Sequence, residues 1–507
     1  MSLVTTTNKR WWIFSSFALV FIIINLDLTI VNVALPTIAR AMHSTLSQMQ
    51  WVMNIFTLVM TCLIIIFGNL CDKYGSVRVY IWGNVLFMLG SLVSGISLNE
   101  PMLIAARIVQ AAGMASIFTP CMLIPLSYFP DNQRGFIISC ILSVSGISMA
   151  IGPNVGGLIL EHLSWRWIFF INVPLGIITI FMTRRLCEKD TVNNAKQIDY
   201  LSSIFLTITI TLMLVGFNNM NGWGLNSARF VATMAGSAIA ATAFVFSQKN
   251  KATKTIDFST FKIRSYWSVF CIRLLFSYCF FVVLFITPFY LQNIMEMTPS
   301  QSALILIFMS GTFGFMSPFV GRMCDRVGIA GPAKISTLAA IFGFAIMAFI
   351  GPHSSIYLTI ISLFCIGFAT ALIVPSTARV ITHVLPKDKA GNGLAVYFTA
   401  GFLGGSIGIG LSVSILAMIS RNFFLKTLKQ FNITLPSDVL NSLLQVVNGT
   451  HPVTYVSQYV DAVHLEKIKA IVKLSYMQGY SFTAWTMCGF CVLCFLLTYF
   501  IEEIKTA

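Results

Sequence analysis

Long runs of apolar residues, separated by short polar stretches, extend along almost the whole chain. A helix needs about 20 mostly apolar residues to cross a lipid bilayer. The pattern predicts fourteen membrane-spanning helices, at residues 12–34, 50–70, 79–98, 102–125, 136–160, 166–185, 200–218, 228–247, 267–290, 301–320, 335–351, 356–378, 392–418 and 480–501.

The composition and the positions of the charges also indicate a membrane protein. Of the 507 residues, 57% are hydrophobic and 10% are charged, whereas about 25% are charged in soluble proteins. The net charge of +15 by itself suggests nucleic acid as a partner. With the N-terminus in the cytoplasm, however, 21 of the 32 Lys and Arg residues fall on the cytoplasmic side and nine on the outer side, as the positive-inside rule requires. We therefore expect an integral plasma (inner) membrane protein, surrounded by lipid, with both termini cytoplasmic and no nucleic-acid partner.

An internal repeat divides the chain. The stretch "GNLCDKYG" at 68–75 recurs as "GRMCDRVG" at 321–328, each time after the second span of a six-span group. We therefore expect an N-terminal six-helix bundle (1–190), a two-helix insertion (191–255) and a C-terminal six-helix bundle (256–507). Two repeated bundles with a site at their interface are typical of secondary transporters.

The repeated loop is interpreted as a conformational latch, and a simple tight turn is the alternative. Glycine permits the turn, and an aspartate there can cap a helix or pair with a cation across the bundle interface. The residues assigned to the latch are Gly68, Asp72, Lys73, Gly75, Arg78, Gly321, Asp325, Arg326 and Gly328.

The polar segment 419–478 is long for a loop between two spans. It contains "NFFLKTLKQF" and "YVDAVHLEKIKAIVKL", both of which have helical periodicity. We expect a helical hairpin or cap on the outer face. A surface that docks another protein is the alternative interpretation of this segment.

Two opposite charges lie inside predicted spans. A charge there costs about 2.5–3.5 kcal/mol on insertion scales and marks a functional candidate. Asp27 in the first span and Arg107 in the fourth both lie about 8–10 Å from the outer ends of their spans, at 1.5 Å per residue, so they can pair if these spans adjoin. Because arginine does not titrate usefully, Asp27 is the expected proton carrier and Arg107 its partner. A purely structural pair is the alternative.

Arg273 in the ninth span is the other charge inside the membrane. We interpret it as a side chain that snorkels to the membrane surface, in preference to a substrate ligand. The thirteenth span contains no carboxylate.

Four further motifs lie in the first six spans: "LDLTIVNVALPTI" at 26–38, "RIVQAAGMA" at 107–115, "GPNVGG" at 152–157 and "WRWIFFINVPLG" at 165–176. Together with the loop "GNLCDKYGSVR", they resemble the major facilitator superfamily, and within it the fourteen-span drug:proton antiporters of the EmrB/QacA type. The resemblance implies the major facilitator fold, which is an all-α polytopic membrane protein of two six-helix bundles plus two extra linker helices. It also implies that the first and fourth spans adjoin.

The same resemblance implies a multidrug efflux transporter, which exports drugs or other amphipathic small molecules by alternating access. The energy source is then a proton gradient, with no cofactor and no metal. It assigns an antiporter motif to Gly152, Pro153, Gly156 and Gly157. Candidate residues of the substrate cavity are Asn54, Phe56, Gln110, Tyr290 and Gln292. Relatives of this type in bacteria with two membranes often work with a periplasmic adaptor and an outer-membrane channel, which are therefore candidate partners.

Two other functions remain open. One is a dedicated exporter of a metabolite, such as a siderophore, with the same fold. The other is a membrane sensor or scaffold that does not transport, although such a protein has no use for charges like Asp27 and Arg107 inside the bilayer. An enzyme is not expected, because the sequence contains no plausible Ser/His/Asp or paired-carboxylate constellation and no phosphate-binding loop for ATP hydrolysis.

Overall fold

The computed structural model describes residues 6–502 apart from 43, 45, 131–132, 189–198, 225, 249–255, 353, 432, 434, 448–452 and 459–461. The described residues form sixteen α-helices and no β-strand. The domain boundaries expected after residues 190 and 255 fall at segments outside this part. In chain order the helices are α1 (Thr6–Ala41), α2 (Leu46–Tyr74), α3 (Ser76–Gly95), α4 (Glu100–Ser127), α5 (Arg134–His162), α6 (Trp167–Phe170), α7 (Asn172–Leu186), α8 (Tyr200–Trp223), α9 (Ala228–Gln248), α10 (Arg264–Phe289), α11 (Pro299–Val327), α12 (Ala330–Ala348), α13 (Ile356–Val384), α14 (Lys387–Gln430), α15 (Ser437–Val447) and α16 (Ala462–Leu497).

Fourteen helical segments of the described chain are long and apolar enough to cross a membrane, which confirms the predicted number of spans. Helices α6 and α7 together form the sixth span, and α15 is not one of the fourteen. Fourteen crossings leave both termini on one side of the molecule, which we call the termini side, and the opposite side is the far side. Lys9 and Glu188, which both lie on the termini side in this topology, form an ion pair of 3.4 Å.

The spans form two bundles that bury their apolar faces against each other. Helices α1–α7 pack together, as do α10–α14 with α16, while α9 packs on α8 and α8 lies against α2 and α14. Large apolar side chains such as Trp82, Phe246 and Phe315 remain exposed. The bilayer is the solvent of these faces, so lipid-facing apolar residues cost nothing there.

Helices α5 and α11 hold the two bundles together near the middle of the spans. Ser143 of α5 donates a hydrogen bond to the carbonyl of Gly314 in α11. A Cβ atom on Gly146 would lie 2.5 Å from the amide nitrogen of Gly314. The two backbones therefore touch at a point that only small residues allow.

The bundles also touch near the termini side. Asn392 of α14 donates a 2.7 Å hydrogen bond to Asn69 of α2. Further along the helices, away from the termini side, the ring of Phe118 in α4 lies 5.1 Å from that of Phe398 and 5.4 Å from that of Phe402, both in α14. These contacts close the space between the bundles on the termini side in this conformation.

The segment 419–478 differs in part from the expectation. Nearly all described residues of the two quoted stretches are helical, but they continue α14 to Gln430 and open α16 at Ala462. The helices of the thirteenth and last spans therefore extend past 418 and begin before 480, because a helix satisfies its own backbone and continues wherever its side chains find a neighbour. Between them lies α15, which the sequence analysis did not predict and which buries Leu443, Val446 and Val447.

Candidate functional site

A carboxylate inside the first bundle lies at the centre of the candidate site. Asp27 of α1 is 1% exposed, and Arg107 of α4 is fully buried. Arg107 Nη1 lies 2.7 Å from Asp27 Oδ2. The ion pair expected from the sequence therefore forms, between two spans that adjoin.

Two amide side chains complete the surroundings of the carboxylate. Gln110 Nε2 and Asn172 Nδ2 donate to Asp27 Oδ1 at 2.8 and 3.0 Å, and both amides also donate to Ser91 Oγ. The Gln110 Oε1 atom accepts from Arg107 Nη1 at 2.7 Å. Each carboxylate oxygen thus has its own N–H donor, which suits an acceptor-only ionised group.

The local sequence explains how these groups meet. Arg107 and Gln110 lie three residues apart and therefore share one face of α4. A Cβ atom on Gly90 of α3 would lie 2.5 Å from the backbone nitrogen of Gln110. Helix α3 therefore packs directly on α4 and brings Ser91 to the side-chain amide of Gln110. Asn172 is the first residue of α7, where the helix of the sixth span restarts after α6.

Aromatic rings cover the guanidinium group of Arg107. Its Cζ lies 4.0 Å from the ring centre of Phe56 and 5.8 Å from that of Phe169, contacts worth about 0.5–2 kcal/mol each. Arg107 Nε donates to the Val52 carbonyl at 3.4 Å, whereas Nη2 has no hydrogen-bond partner in the described part of the chain. The ion pair is sealed from solvent in this conformation, and one guanidinium nitrogen keeps an unused donor.

Ser91 and Asn172 were not among the candidate residues predicted from the sequence. Asn172 had a signal, because it is a polar residue inside a span and lies in the quoted motif at 165–176. Ser91 had none, since a serine in an apolar helix is common and satisfies itself on the backbone.

The antiporter motif packs α5 against α1 beside the ion pair. A Cβ atom on Gly152 would collide with Thr29 Oγ1, and one on Gly156 would lie 3.1 Å from Ile30 Cγ2. Pro153 lies inside α5 between them, while Gly157 has open space around it. Gly152 and Gly156 therefore set the distance between α5 and the part of α1 that carries Asp27, and Gly157 does not.

Both copies of the repeated loop form the same turn. Gly75 between α2 and α3 has φ 91°, and Gly328 between α11 and α12 has φ 92°, a left-handed conformation that favours glycine. In the first copy, Lys73 lies over the Tyr74 ring and Arg78 is exposed. A Cβ on Gly68 would lie 3.0 Å from Ala395 Cβ of the second bundle.

The described side chains leave the latch interpretation open. Asp72 is half-buried. Gly321, Asp325 and Arg326 belong to the last turns of α11, and their side chains lie outside the described part. The repeat is thus visible as a helix–glycine–helix turn, and its role as a latch stays a prediction.

The five candidate residues of the substrate cavity lie in different surroundings. Phe56 and Gln110 belong to the ion-pair site described above. Tyr290 and Gln292 lie in a π-helical turn at the end of α10, where the fully buried Tyr290 ring lies 5.1 Å from that of Tyr480. Asn54 is half-buried in α2. The cavity therefore stays a prediction.

Arg273 of α10 lies against aromatic rings of α14. Its guanidinium carbon lies 5.0 Å from the ring centre of Tyr397 and 5.8 Å from that of Phe398. The Nε atom is buried and has no hydrogen-bond partner among the described residues. The structure thus adds aromatic contacts that the sequence did not show, and snorkelling to the membrane surface stays a prediction.

The family of the chain follows from its sequence profile. The profile of the Major Facilitator Superfamily matches residues 17–409, which is well over half of the chain. The chain belongs to the Major Facilitator Superfamily. It is therefore an integral membrane protein with the fold of a transporter.

Curated relatives of this Major Facilitator Superfamily protein include drug-resistance proteins. Multidrug resistance protein Stp of Mycobacterium tuberculosis (strain CDC 1551 / Oshkosh) is 26% identical over 393 residues, which cover 77% of this chain and 73% of Stp. Riboflavin transporter RibZ of Clostridioides difficile (strain 630) is 30% identical over 393 residues, which cover 76% of this chain and 84% of RibZ. The solved structure of the proton:xylose symporter XylE is 13% identical in sequence, and the match covers 99% of this chain and 98% of XylE. The TM-score of 0.63 shows that the two proteins share a fold.

Proposed function

We propose that this chain exports drugs or other amphipathic small molecules in exchange for protons. The observation that carries the proposal is the buried Asp27 carboxylate, held by Arg107 and two amide donors at the same depth in the membrane. A carboxylate inside a span is costly and is a functional candidate by default. Similarity to proteins named for drug resistance supports export as the direction of transport.

In this mechanism Asp27 carries the proton. Protonation removes the negative charge that holds Arg107, while the guanidinium stays charged at every working pH. The 2.7 Å contact between them then loses most of its attraction, and α1, α4 and α7 lose part of the interaction that joins them at this point. Release of the proton on the other side of the membrane restores the ion pair.

The antiporter motif provides a route from Asp27 to the bundle interface. Gly152 packs on Thr29, two residues after Asp27 along α1. Further along α5, Gly146 touches Gly314 of the second bundle. A shift of α1 on protonation would therefore move α5 against α11, which is the kind of rigid-body change that alternating access needs.

We further propose that the termini side faces the cytoplasm. The excess of Lys and Arg in the short loops of that side supports this orientation. The structure then represents a conformation closed toward the cytoplasm by the Asn69–Asn392 and Phe118–Phe398 contacts. Tips of α14 and α16 together with α15 would project outward, where a periplasmic adaptor is the candidate partner.

The test uses wild type and Asp27→Asn reconstituted in proteoliposomes with a pH-sensitive dye inside. A panel of anionic, neutral and cationic dyes is added under an imposed proton gradient. We expect substrate-dependent proton flux in wild type and its loss in Asp27→Asn, with substrate exchange in the absence of a gradient retained. The control Glu161→Gln removes an exposed acid at the end of α5 and should behave as wild type. Proton flux that persists in Asp27→Asn would show that the pair is structural.

A dedicated metabolite exporter is the second candidate, and one observation favours it. The relative RibZ is named as a riboflavin transporter and is 30% identical over most of both chains. The same proteoliposomes separate the two candidates: flux with riboflavin alone, and with no dye of the panel, would favour a dedicated carrier of a flavin-like metabolite. A siderophore is tested in the same way. A sensor or scaffold would move none of these compounds.

A further inference from the structure

We infer that Arg273 binds the negative group of an amphipathic organic anion, such as a carboxylate or sulfonate on an aromatic molecule, and so biases the cargo of the exporter toward anions. The inference rests on the proposed function and names the substrate class for it. It begins from a contrast between two intramembrane arginines, because Arg107 has Asp27 as a counter-charge and Arg273 has no such partner among the described residues.

Among the described residues, no carboxylate pairs with Arg273. The guanidinium group contacts the rings of Tyr397 and Phe398, and the side chain as a whole is half-buried. Cation–π contacts hold the guanidinium with about 0.5–2 kcal/mol but do not neutralise its charge. The site can therefore take an anion.

Helix α14 is shaped to hold this guanidinium. A Cβ atom on Gly401 would lie 2.5 Å from Arg273 Nε and 2.8 Å from Nη2. The planar group thus lies flush on the helix backbone and beside two aromatic rings. A flat aromatic anion fits this arrangement, because the guanidinium fork binds a carboxylate in a bidentate manner and rings offer faces for stacking.

The position also links Arg273 to the gate between the bundles. Phe398, which touches Arg273, lies 5.1 Å from Phe118 of the first bundle. Opening of the termini side separates these two rings and uncovers the guanidinium toward the side from which an exporter takes its cargo. In the closed conformation described here the charge rests on the aromatic faces instead.

The electrostatic balance of the interior points the same way. The charge of Asp27 is neutralised by Arg107 within one ion pair. In the second half of the chain the acids lie in loops or at helix ends, and Glu466, the one inside a candidate span, is 86% exposed at the far-side tip. Among the described residues, the charge of Arg273 is thus not paired with a carboxylate, and such a charge repels cationic ligands and attracts anionic ones.

The experiment compares two dyes that share a xanthene ring and differ in charge. Binding of the anion fluorescein and the cation rhodamine 6G to purified protein is measured by fluorescence anisotropy, followed by transport in proteoliposomes. In Arg273→Gln we expect the Kd and KM for fluorescein to rise at least about tenfold, with rhodamine 6G and an uncharged substrate unaffected. Arg273→Lys should keep most of the affinity, because it keeps the positive charge.

Two further variants make the test specific. Arg264→Gln removes an exposed arginine from the start of the same helix and should match wild type. Gly401→Ala displaces the guanidinium without removing it, and it should weaken fluorescein binding while the unfolding temperature changes little. If Arg273→Gln does not fold, the Gly401→Ala result decides.

Three results would overturn the inference: no saturable fluorescein binding to wild type, unchanged binding in both Arg273→Gln and Gly401→Ala, or equal loss of all substrates together with a lower unfolding temperature. The last result would make Arg273 structural. Binding needs no proton gradient, so fluorescein binding without proton-coupled flux would overturn the proposed function and leave the anion site standing.

Discussion

The interaction between Asp27 and Arg107 can be measured as a coupling free energy. Replacement of Arg107 by Met keeps an apolar stem between the rings of Phe56 and Phe169 but leaves the carboxylate without a cation. At 2.7 Å the Coulomb attraction is about 6 kcal/mol for an effective dielectric constant of 20. Loss of one partner from a buried pair costs about 3–5 kcal/mol in practice, and we expect that loss in the free energy of unfolding of Arg107→Met.

The double variant should be more stable than Arg107→Met alone. Asp27→Asn by itself keeps an oxygen that accepts from Arg107, so about 1–3 kcal/mol is expected to be lost. Asp27→Asn with Arg107→Met removes both charges and should cost only about 1–2 kcal/mol. The coupling free energy is then at least about 2 kcal/mol, which is typical of residues in direct contact.

The assay is reversible denaturant unfolding in detergent micelles, followed by tryptophan fluorescence, for wild type, both single variants and the double variant. The analysis needs equal denaturant dependence in all four proteins, because a changed slope means a changed unfolding process. A coupling below about 0.5 kcal/mol, the usual limit of additivity, would refute the energetic importance of the pair. An Arg107→Met protein as stable as wild type would do the same.

Two other variants test the packing between bundles and at the surface. Gly146→Val places a side chain where even a Cβ atom would lie 2.5 Å from the backbone nitrogen of Gly314. We therefore expect loss of transport together with a lower unfolding temperature. Normal transport in this variant would show that α5 and α11 need not touch. Lys473→Met breaks the 2.9 Å ion pair with the half-exposed Glu296 on the far side. Because an exposed pair is worth at most about 1 kcal/mol, stability and transport should both stay close to wild type. A large loss of either would show that this pair anchors the extended helices.

The number and order of the spans could be predicted from the sequence because the bilayer imposes one rule on every helix. About 20 apolar residues are needed each time, and that length is visible without any tertiary information. The extension of α14 to Gln430 and of α16 from Ala462 could not be predicted in this way. Outside the bilayer the length of a helix depends on its contacts with other helices, and α14 and α16 contact each other and α15.

The sequence by itself determined that Asp27 and Arg107 are exceptional, because a charge inside a span is costly wherever it points. It also determined the repeated turn, since Gly75 and Gly328 stand at matching positions of two matching motifs. These properties depend on residue type and spacing along one helix or one turn, which a single chain displays directly.

Only the tertiary structure decided what surrounds each charge. Gln110 and Asn172 come from two different helices and meet at one carboxylate, and Ser91 of a third helix accepts hydrogen bonds from both amides. No pattern within a helix records which faces will meet. In the same way, the sequence of α10 does not show that Gly401 and two aromatic rings of α14 lie beside Arg273. Helices far apart in sequence contribute to each site, so the partners of a buried charge depend on how the helices pack.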